Sequence, residues 1–389
     1  MNMRAKMKKA IFVTHVKYPR SGAPSNYIQY LAEALKALGY QVFVVGSRNN
    51  DYLKEQGLAK SFHSVNICQV VPEKPVILQK ILRRLFFKKL LALNISALKP
   101  GKYDLVIEYS INEQIHEVIL KLRNKNHFSA VCCPTEWFGP ENFESGYDAY
   151  RRIVEQYRPQ YDLIFPISKK IQSYYEEKGC RTCLLPIMAD CTEYENKPKV
   201  QGIYKVILIA NGAMKDSLDT MIMSIANVIE TKGQIFEFHA TGIKQQQVIE
   251  ILGETRYSTL KSSIILHGWM EYDELIQLYQ DVHFLLLARD ISQMTLSNFP
   301  SKIPECLAYG IVPLISNVGD CPKYYLEDKK NSFIIDGCSV EACSKTISEA
   351  VSLPWEDYVK MSNSARDCAV NRFDFRNWLE TIRSAIQEI

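Results

Sequence analysis

Apolar residues in this chain gather in short continuous runs, separated by polar loops and by stretches of helical spacing. Ala10-Ile-Phe-Val-Thr14 is one such run. Its lack of alternation predicts a strand covered on both faces, as in a parallel sheet. The loop Tyr18-Pro-Arg-Ser-Gly-Ala-Pro-Ser25 follows. Tyr27, Leu31, Ala34, Leu35 and Leu38 then share one helical face, and Gly39 stops the helix. Gln41-Val-Phe-Val-Val-Gly46 predicts the next strand. Strand, helix, strand is a βαβ unit, which implies a parallel sheet flanked by helices.

The rhythm continues. Tyr103–Tyr109, Ser129–Cys133 and Tyr161–Ile167 read as strands, and Lys169–Lys178 as a helix closed at Gly179. Residues 190–203 are polar and irregular and predict a domain boundary. Beyond it, strands are expected at Tyr204–Ala210, Ile235–Ala240, Ser263–His267, His283–Leu287 and Ile311–Ile315. Helices are expected at Leu218–Thr231, Tyr272–Tyr279, Val340–Val351 and Trp355–Ile389. The pattern predicts an α/β protein of two Rossmann-like domains facing each other across a cleft. The expected division is 1–195, 196–370, and a final segment 371–389 returning to the first domain. Ligands of such sheets sit at the carboxyl ends of the strands.

Composition narrows the class. The 389 residues are 47% hydrophobic and 23% charged, ordinary for a globular protein of more than one domain. The net charge of +4 is too mild for a dedicated nucleic-acid binder, so no nucleic-acid partner is expected. The chain carries no long apolar run and no secretory pattern at its start, which predicts a cytoplasmic protein. Its eleven scattered cysteines are then expected to be reduced thiols. Cys180-Arg-Thr-Cys183 is a lone CxxC and a poor zinc site, and no metal is expected.

The stretch from Arg289 to Gly310 carries the clearest chemistry. It leaves a strand, crosses a polar loop and enters a helix near Pro300 or Ser301. Exposed N–H groups there suit a phosphate. Lys302 on the first turn opposes the helix dipole, which points to a ligand rather than to helix stability. Arg289 is a second cation for an anionic group, and Glu305 is placed to accept bonds from ribose hydroxyls. The plain alternative is a solvated helix start with a Lys302–Glu305 surface pair.

The segment Asn298-Phe-Pro-Ser-Lys-Ile-Pro-Glu-Cys-Leu-Ala-Tyr-Gly-Ile-Val-Pro-Leu-Ile-Ser-Asn-Val-Gly-Asp320 resembles the donor-site motif of retaining glycosyltransferases with the GT-B fold. It is most similar to family 4, in the branch that builds capsules and O-antigens. Asn211-Gly-Ala-Met-Lys-Asp216 resembles that family's phosphate loop. Leu266-His-Gly-Trp-Met270 with Glu274–Tyr279, Asp162–Ser168 and Asn331–Ile335 resemble further segments in the same order. The resemblance implies a sugar nucleotide, UDP-linked before GDP-linked, bound in the C-terminal domain. Its diphosphate would meet Lys215, Lys302 and backbone N–H groups near Phe299 to Ser301. Asn298, Gly212 and Arg289 would belong to the same site, the ribose would bind Glu305, and the base would lie near His267 and Gly268. Lys215 and Lys302 would stabilise the departing diphosphate in place of a metal. The family's Glu-x7-Glu motif has its first acid where this chain has Ser297.

In the N-terminal half, Ser21-Gly22-Ala23-Pro24-Ser25 resembles the family's glycine-rich first loop, Gly22 letting backbone approach the donor or acceptor. Glu136 stands where relatives place a polar group near the reacting sugar, and is the candidate to stabilise an oxocarbenium-like centre or orient the acceptor hydroxyl. Its alternative is to cap the next loop. His15 ends the first strand, and His239 lies within an apolar strand pattern as a structural histidine.

Residues 74–103 hold Lys74, Lys80, Arg83, Arg84, Lys88, Lys89, Lys99 and Lys102 and no acid. Leu78, Ile81, Leu82, Leu85, Phe86, Leu90 and Leu93 share one broad helical face. A basic amphipathic helix at 78–93 suits an anionic membrane, on the inner face of the plasma membrane; its alternative is docking on the protein's own sheet. The expected acceptor is lipid-linked or a polysaccharide. Two other functions stay open: a catalytically silent GT-B scaffold, and a non-hydrolysing sugar-nucleotide epimerase.

Overall fold

The computed structural model describes residues 7–20, 22–46, 61–69, 76–192, 198–210, 215–233 and 235–389. The chain divides into two compact units, Met1–Met188 with Phe375–Ile389, and Ala189–Asp374.

The first unit contains β1 (Lys9–Thr14), α1 (Ala23–Ala37), β2 (Gln41–Gly46), β3 (Ser61–Phe62), β4 (Val65–Gln69), α2 (Val76–Ala97) and β5 (Leu105–Tyr109). It continues with α3 (Glu113–Asn126), β6 (Ser129–Cys132), α4 (Tyr147–Arg152), β7 (Leu163–Ile164) and α5 (Lys169–Glu176). The sheet order is β3-β4-β2-β1-β5-β6-β7, parallel except for β3 against β4. Ala10 to Val13 are fully buried, which is why their run is uninterrupted. Pro24 lies in the first turn of α1, where its missing N–H costs nothing. Gly39 closes that helix at φ +88°. The run Tyr161–Ile167 yields only the two-residue β7, although the Phe165 and Ile167 N–H groups still donate to the Cys132 and Pro134 carbonyls at 2.9 and 3.3 Å.

α2 buries Phe87, Leu91 and Ile95, one side chain per helical turn. This stripe differs from the broad apolar face read from the sequence, much of which is exposed. The final helix, Leu379–Gln387, and the 3₁₀ turn Phe375–Trp378 pack against α1 in the first unit.

The second unit contains β8 (Tyr204–Ile209), α6 (Leu218–Lys232), β9 (Phe236–Thr241), α7 (Gln245–Leu252), α8 (Glu254–Leu260), β10 (Ile264–Gly268) and α9 (Tyr272–Asp281). Then come β11 (Phe284–Leu287), α10 (Gln293–Ser297), α11 (Lys302–Ala308), β12 (Val312–Ser316), α12 (Asp320–Tyr324), β13 (Phe333–Ile335), α13 (Val340–Ala350) and α14 (Trp355–Arg372). The sheet is wholly parallel, in the order β10-β9-β8-β11-β12-β13. Both sheets therefore reverse direction beside their first strand, between β1 and β5 and between β8 and β11. That reversal is the topological switch point at which ligands of doubly wound sheets bind. Among the described residues, no helix is long and apolar enough to cross a membrane. None of the eleven cysteines is in a disulfide.

Candidate functional site

The second unit's switch point is built from the segments after β8 and β11. Lys215 and Asp216 end the first segment, and the Ser217 N–H donates to the Ala288 carbonyl at 2.9 Å, joining the two strand ends. Arg289 follows β11 directly. Its backbone N–H donates to the Ser316 hydroxyl at the end of β12 (3.0 Å). The buried Arg289 guanidinium donates from Nε to Asp216 Oδ1 at 2.7 Å and from Nη1 to Asn298 Oδ1 at 2.8 Å. Lys302, at the start of α11, places Nζ 3.3 Å from Asp216 Oδ2 and also donates to the Ile209 carbonyl.

One carboxylate thus gathers two cations from different segments. Burial pushes the Asp216 carboxyl upward, but Lys302 and Arg289 outweigh it and hold the group below its usual range. Burial lowers the Lys302 ammonium, against the pull of Asp216. A cavity of about 470 Å³ opens beside this network, lined by Asp216, Ser217, Asp219, Gly242 and Gln247 among others.

The other expected donor-site residues lie on α11, on the segment before it and at the end of β10. Glu305 is buried on α11, and Tyr272, opening α9, donates its hydroxyl to Oε1 at 3.4 Å. His267 and Gly268 end β10. The Gly268 carbonyl accepts from the Gly242 N–H at 2.6 Å. His267 Nε2 lies 3.0 Å from His239 Nδ1, and His239 Nε2 lies 3.3 Å from Glu237 Oε2. Burial lowers both imidazoles, which favours their neutral forms. Phe299 is a core residue, edge-on to Tyr325 and Phe373. Only its backbone is left to meet a ligand. Ser301 occupies the N-cap of α11 without a side-chain capping bond. Gly212 lies outside the described residues.

Ser297 is fully buried, and its hydroxyl donates to the Gln293 and Met294 carbonyls at 2.9 and 3.1 Å. Its polar group is engaged by its own helix.

In the first unit, Gly22 precedes α1 at φ +90°, ψ −166°, a region essentially restricted to glycine. Its carbonyl accepts from the Ser25 and Asn26 N–H groups at 3.0 and 3.1 Å. His15 Nδ1 and Ser110 Oγ are 2.8 Å apart, bridging the ends of β1 and β5 across that sheet's switch point. Glu136 follows β6, half-buried. The Tyr150 hydroxyl donates to the Glu136 carbonyl and accepts from the Phe138 N–H, both at 3.2 Å, and so fixes the segment.

Arg289, Asn298 and Lys302 therefore form one network. Its centre, Asp216, carried no assigned role in the sequence reading, nor did Tyr272 or Glu237. The signal for Asp216 was its place at the end of Asn211-Gly-Ala-Met-Lys-Asp216, the segment that resembles the family's phosphate loop.

Residues 206–367 match the family model of the group 1 glycosyl transferases. No curated protein matches the chain in sequence. Whole-chain structural matches are extensive. Anabaena HepE, in complex with UDP-glucose, matches with a TM-score of 0.72 at 13% identity over 98% of this chain and 100% of that one. A glycosyltransferase from Rickettsia africae matches at 0.71 with 13% identity, covering 98% of both chains. The pneumococcal O-GlcNAc transferase GtfA, in complex with UDP and GlcNAc, matches at 0.68 with 11% identity over 98% of this chain and 99% of that one. The chain has the GT-B fold, two Rossmann-like units in one polypeptide.

Proposed function

We propose that this protein is a retaining glycosyltransferase of family 4 that moves a hexose or N-acetylhexosamine from a nucleotide donor to a lipid-linked or polysaccharide acceptor. The carrying observation is the Lys302–Asp216–Arg289 network at a switch point inside the segment that matches the group 1 model. UDP is the preferred nucleotide, in line with the ligands of HepE and GtfA, and GDP is second.

The diphosphate meets Lys215, Lys302 and Arg289, with Asn298 and the backbone before α11 beside it. Asp216 holds the two cations together. As the glycosidic bond breaks, negative charge grows on the leaving diphosphate. Cations already fixed in place stabilise that state more than the ground state. In this reading lysine and arginine do the work that a metal does elsewhere. Glu305 takes the ribose hydroxyls, and the base lies against His267 and Gly268. Glu136 and the backbone at Gly22 serve the transferred sugar and acceptor from the first unit. The setting is capsule or O-antigen synthesis in the cytoplasm, at the inner face of the plasma membrane.

One observation favours a second reading. Ser297 replaces an acid of the family motif and spends its hydroxyl on its own helix. A silent relative that only binds a nucleotide sugar fits that feature. A panel of sugar nucleotides scored by thermal shift, then turnover with the best binder, separates the readings. Transfer or slow donor hydrolysis supports the enzyme. Binding without turnover supports the silent relative, and a product inverted at C2 supports an epimerase.

A further inference from the structure

The end of β10 carries a chain of hydrogen bonds whose direction is fixed. His239 Nδ1 and His267 Nε2 are 3.0 Å apart, the ring centroids are 5.3 Å apart and the ring planes differ by 16°. So large a centroid separation between nitrogens so close sets the rings edge to edge, nearly in one plane, the alignment a hydrogen bond prefers. His239 Nε2 also lies 3.3 Å from Glu237 Oε2. An ionised carboxylate only accepts, so His239 carries its proton on Nε2. Its Nδ1 is then the acceptor, and His267 donates from Nε2. That leaves His267 Nδ1 unprotonated, an acceptor on a half-buried ring. Burial keeps both rings in their neutral forms. Among the described residues, the His267 side chain makes no hydrogen bond besides that to His239.

The backbone presents this ring where a ligand passes. β10 slips register against β9 between Leu266 and Gly268, and Gly268 takes φ +66°. A bulge of this kind re-aims the side chain of its extra residue, here His267. β10 lies two strands from β8, whose last carbonyl, on Ile209, accepts from Lys302. Two strand spacings are about 10 Å, the reach from a diphosphate across a ribose to its base. Tyr272, which follows the end of β10, bonds Glu305 on α11 and borders the ground between.

We propose that His267 selects the nucleobase through Nδ1, which accepts from an imide N–H, and that Glu237 and His239 are positioning residues that fix its proton. Uracil offers that donor at N3 and guanine at N1. Cytosine presents a bare nitrogen at N3, and two acceptors facing one another repel. Such selection rests on the nucleotide-sugar reading of the site and adds to it the groups that decide the base.

The test is calorimetric titration of UDP, GDP, CDP and N3-methyl-UDP into the wild type, His267→Phe and Glu237→Gln, with unfolding midpoints taken in parallel. The wild type should bind the tighter of UDP and GDP about tenfold or more above CDP, and UDP above N3-methyl-UDP by a similar factor. The ratio of UDP to GDP affinity tells which base is used. His267→Phe, still folded, should lose most of the preference over CDP. Glu237→Gln, whose amide can donate to His239, should shrink that preference with His267 still present. Nitrogen NMR of histidine-labelled, nucleotide-free wild type should show His267 protonated on Nε2 alone. Equal affinity for CDP and the tighter of UDP and GDP overturns the proposal and leaves the nucleotide reading standing. So does a preference that survives in either variant, or a proton found on His267 Nδ1. A wild type that binds none of the four nucleotides overturns both.

Discussion

Asp216 Oδ1 accepts a hydrogen bond from Arg289 Nε at 2.7 Å, across 73 residues of sequence. The contact ties the segment after β8 to the end of β11, and its second oxygen draws in Lys302. Two cations are held close together in a buried place because one carboxylate lies between them.

That arrangement predicts the effect of removing the charge. Asp216→Asn leaves the buried Arg289 and the half-buried Lys302 repelling one another and without their shared charged partner. Breaking a buried ion pair from one side costs about 3 kcal/mol or more. Chemical denaturation should show a loss of that size. Lys302→Ala should cost far less, because Asp216 keeps Arg289.

Gly242 predicts a steric failure. It sits at φ +71°, and a Cβ built there would collide with the Ala210 carbonyl oxygen at the end of β8. Its N–H also bonds the Gly268 carbonyl. Gly242→Ala should therefore lower stability by about 2 kcal/mol or more, read as a fall in the denaturation midpoint. It should also distort the strand ends that frame the candidate pocket.

His283 predicts acid sensitivity. It is 3% exposed, against Tyr204 and Tyr358. Nδ1 accepts from the Lys205 N–H and Nε2 donates to the Val200 carbonyl, so the neutral ring is fully used. Burial pushes its pKa down to about 4. The unfolded chain, near 6.5, binds the proton more readily. Stability is thus complete above pH 6.5 and lost as pH falls through that value toward 4, by about 3 kcal/mol. Denaturation midpoints across this range should fall in the wild type and flatten in His283→Asn.

Lys302 predicts an alkaline limit to donor binding. Burial lowers its pKa, and only the ammonium form attracts a diphosphate. Nucleotide affinity should be flat near neutrality and fall at a pH below the ordinary lysine range. A fall that begins only at the usual lysine pKa would assign the dependence to an exposed lysine.

The parallel strands were legible because burial on both faces demands continuous apolar runs, as at Ala10–Val13 and Phe284–Leu287. The hairpin of β3 and β4 was not. Ser61 and Asn66 face each other in its short ladder and give no apolar run. In α3, His116 is buried with its Nδ1 3.0 Å from the Tyr161 hydroxyl, a polar residue that masks the apolar period of Ile115, Val118 and Ile119. In α2 the sequence offered more apolar positions than one sheet can cover, so the buried stripe could not be chosen by periodicity alone. At the site, Arg289 and Lys302 were visible from local order: strand, loop, helix. Asp216 was visible only as the last residue of the segment resembling a phosphate loop, because its role between the two cations exists only once two distant loops meet. The His239–His267 contact likewise depends on the neighbouring placement of β9 and β10.

The most direct measurement is calorimetric titration of UDP-glucose and UDP-GlcNAc into wild type and Lys302→Ala, with unfolding midpoints taken in parallel. The account predicts that the wild type binds at least one of them and that the variant, still folded, loses about 100-fold in affinity, or about 2.7 kcal/mol. A folded Lys302→Ala protein with undiminished affinity, or a wild type that binds no sugar nucleotide, would contradict it.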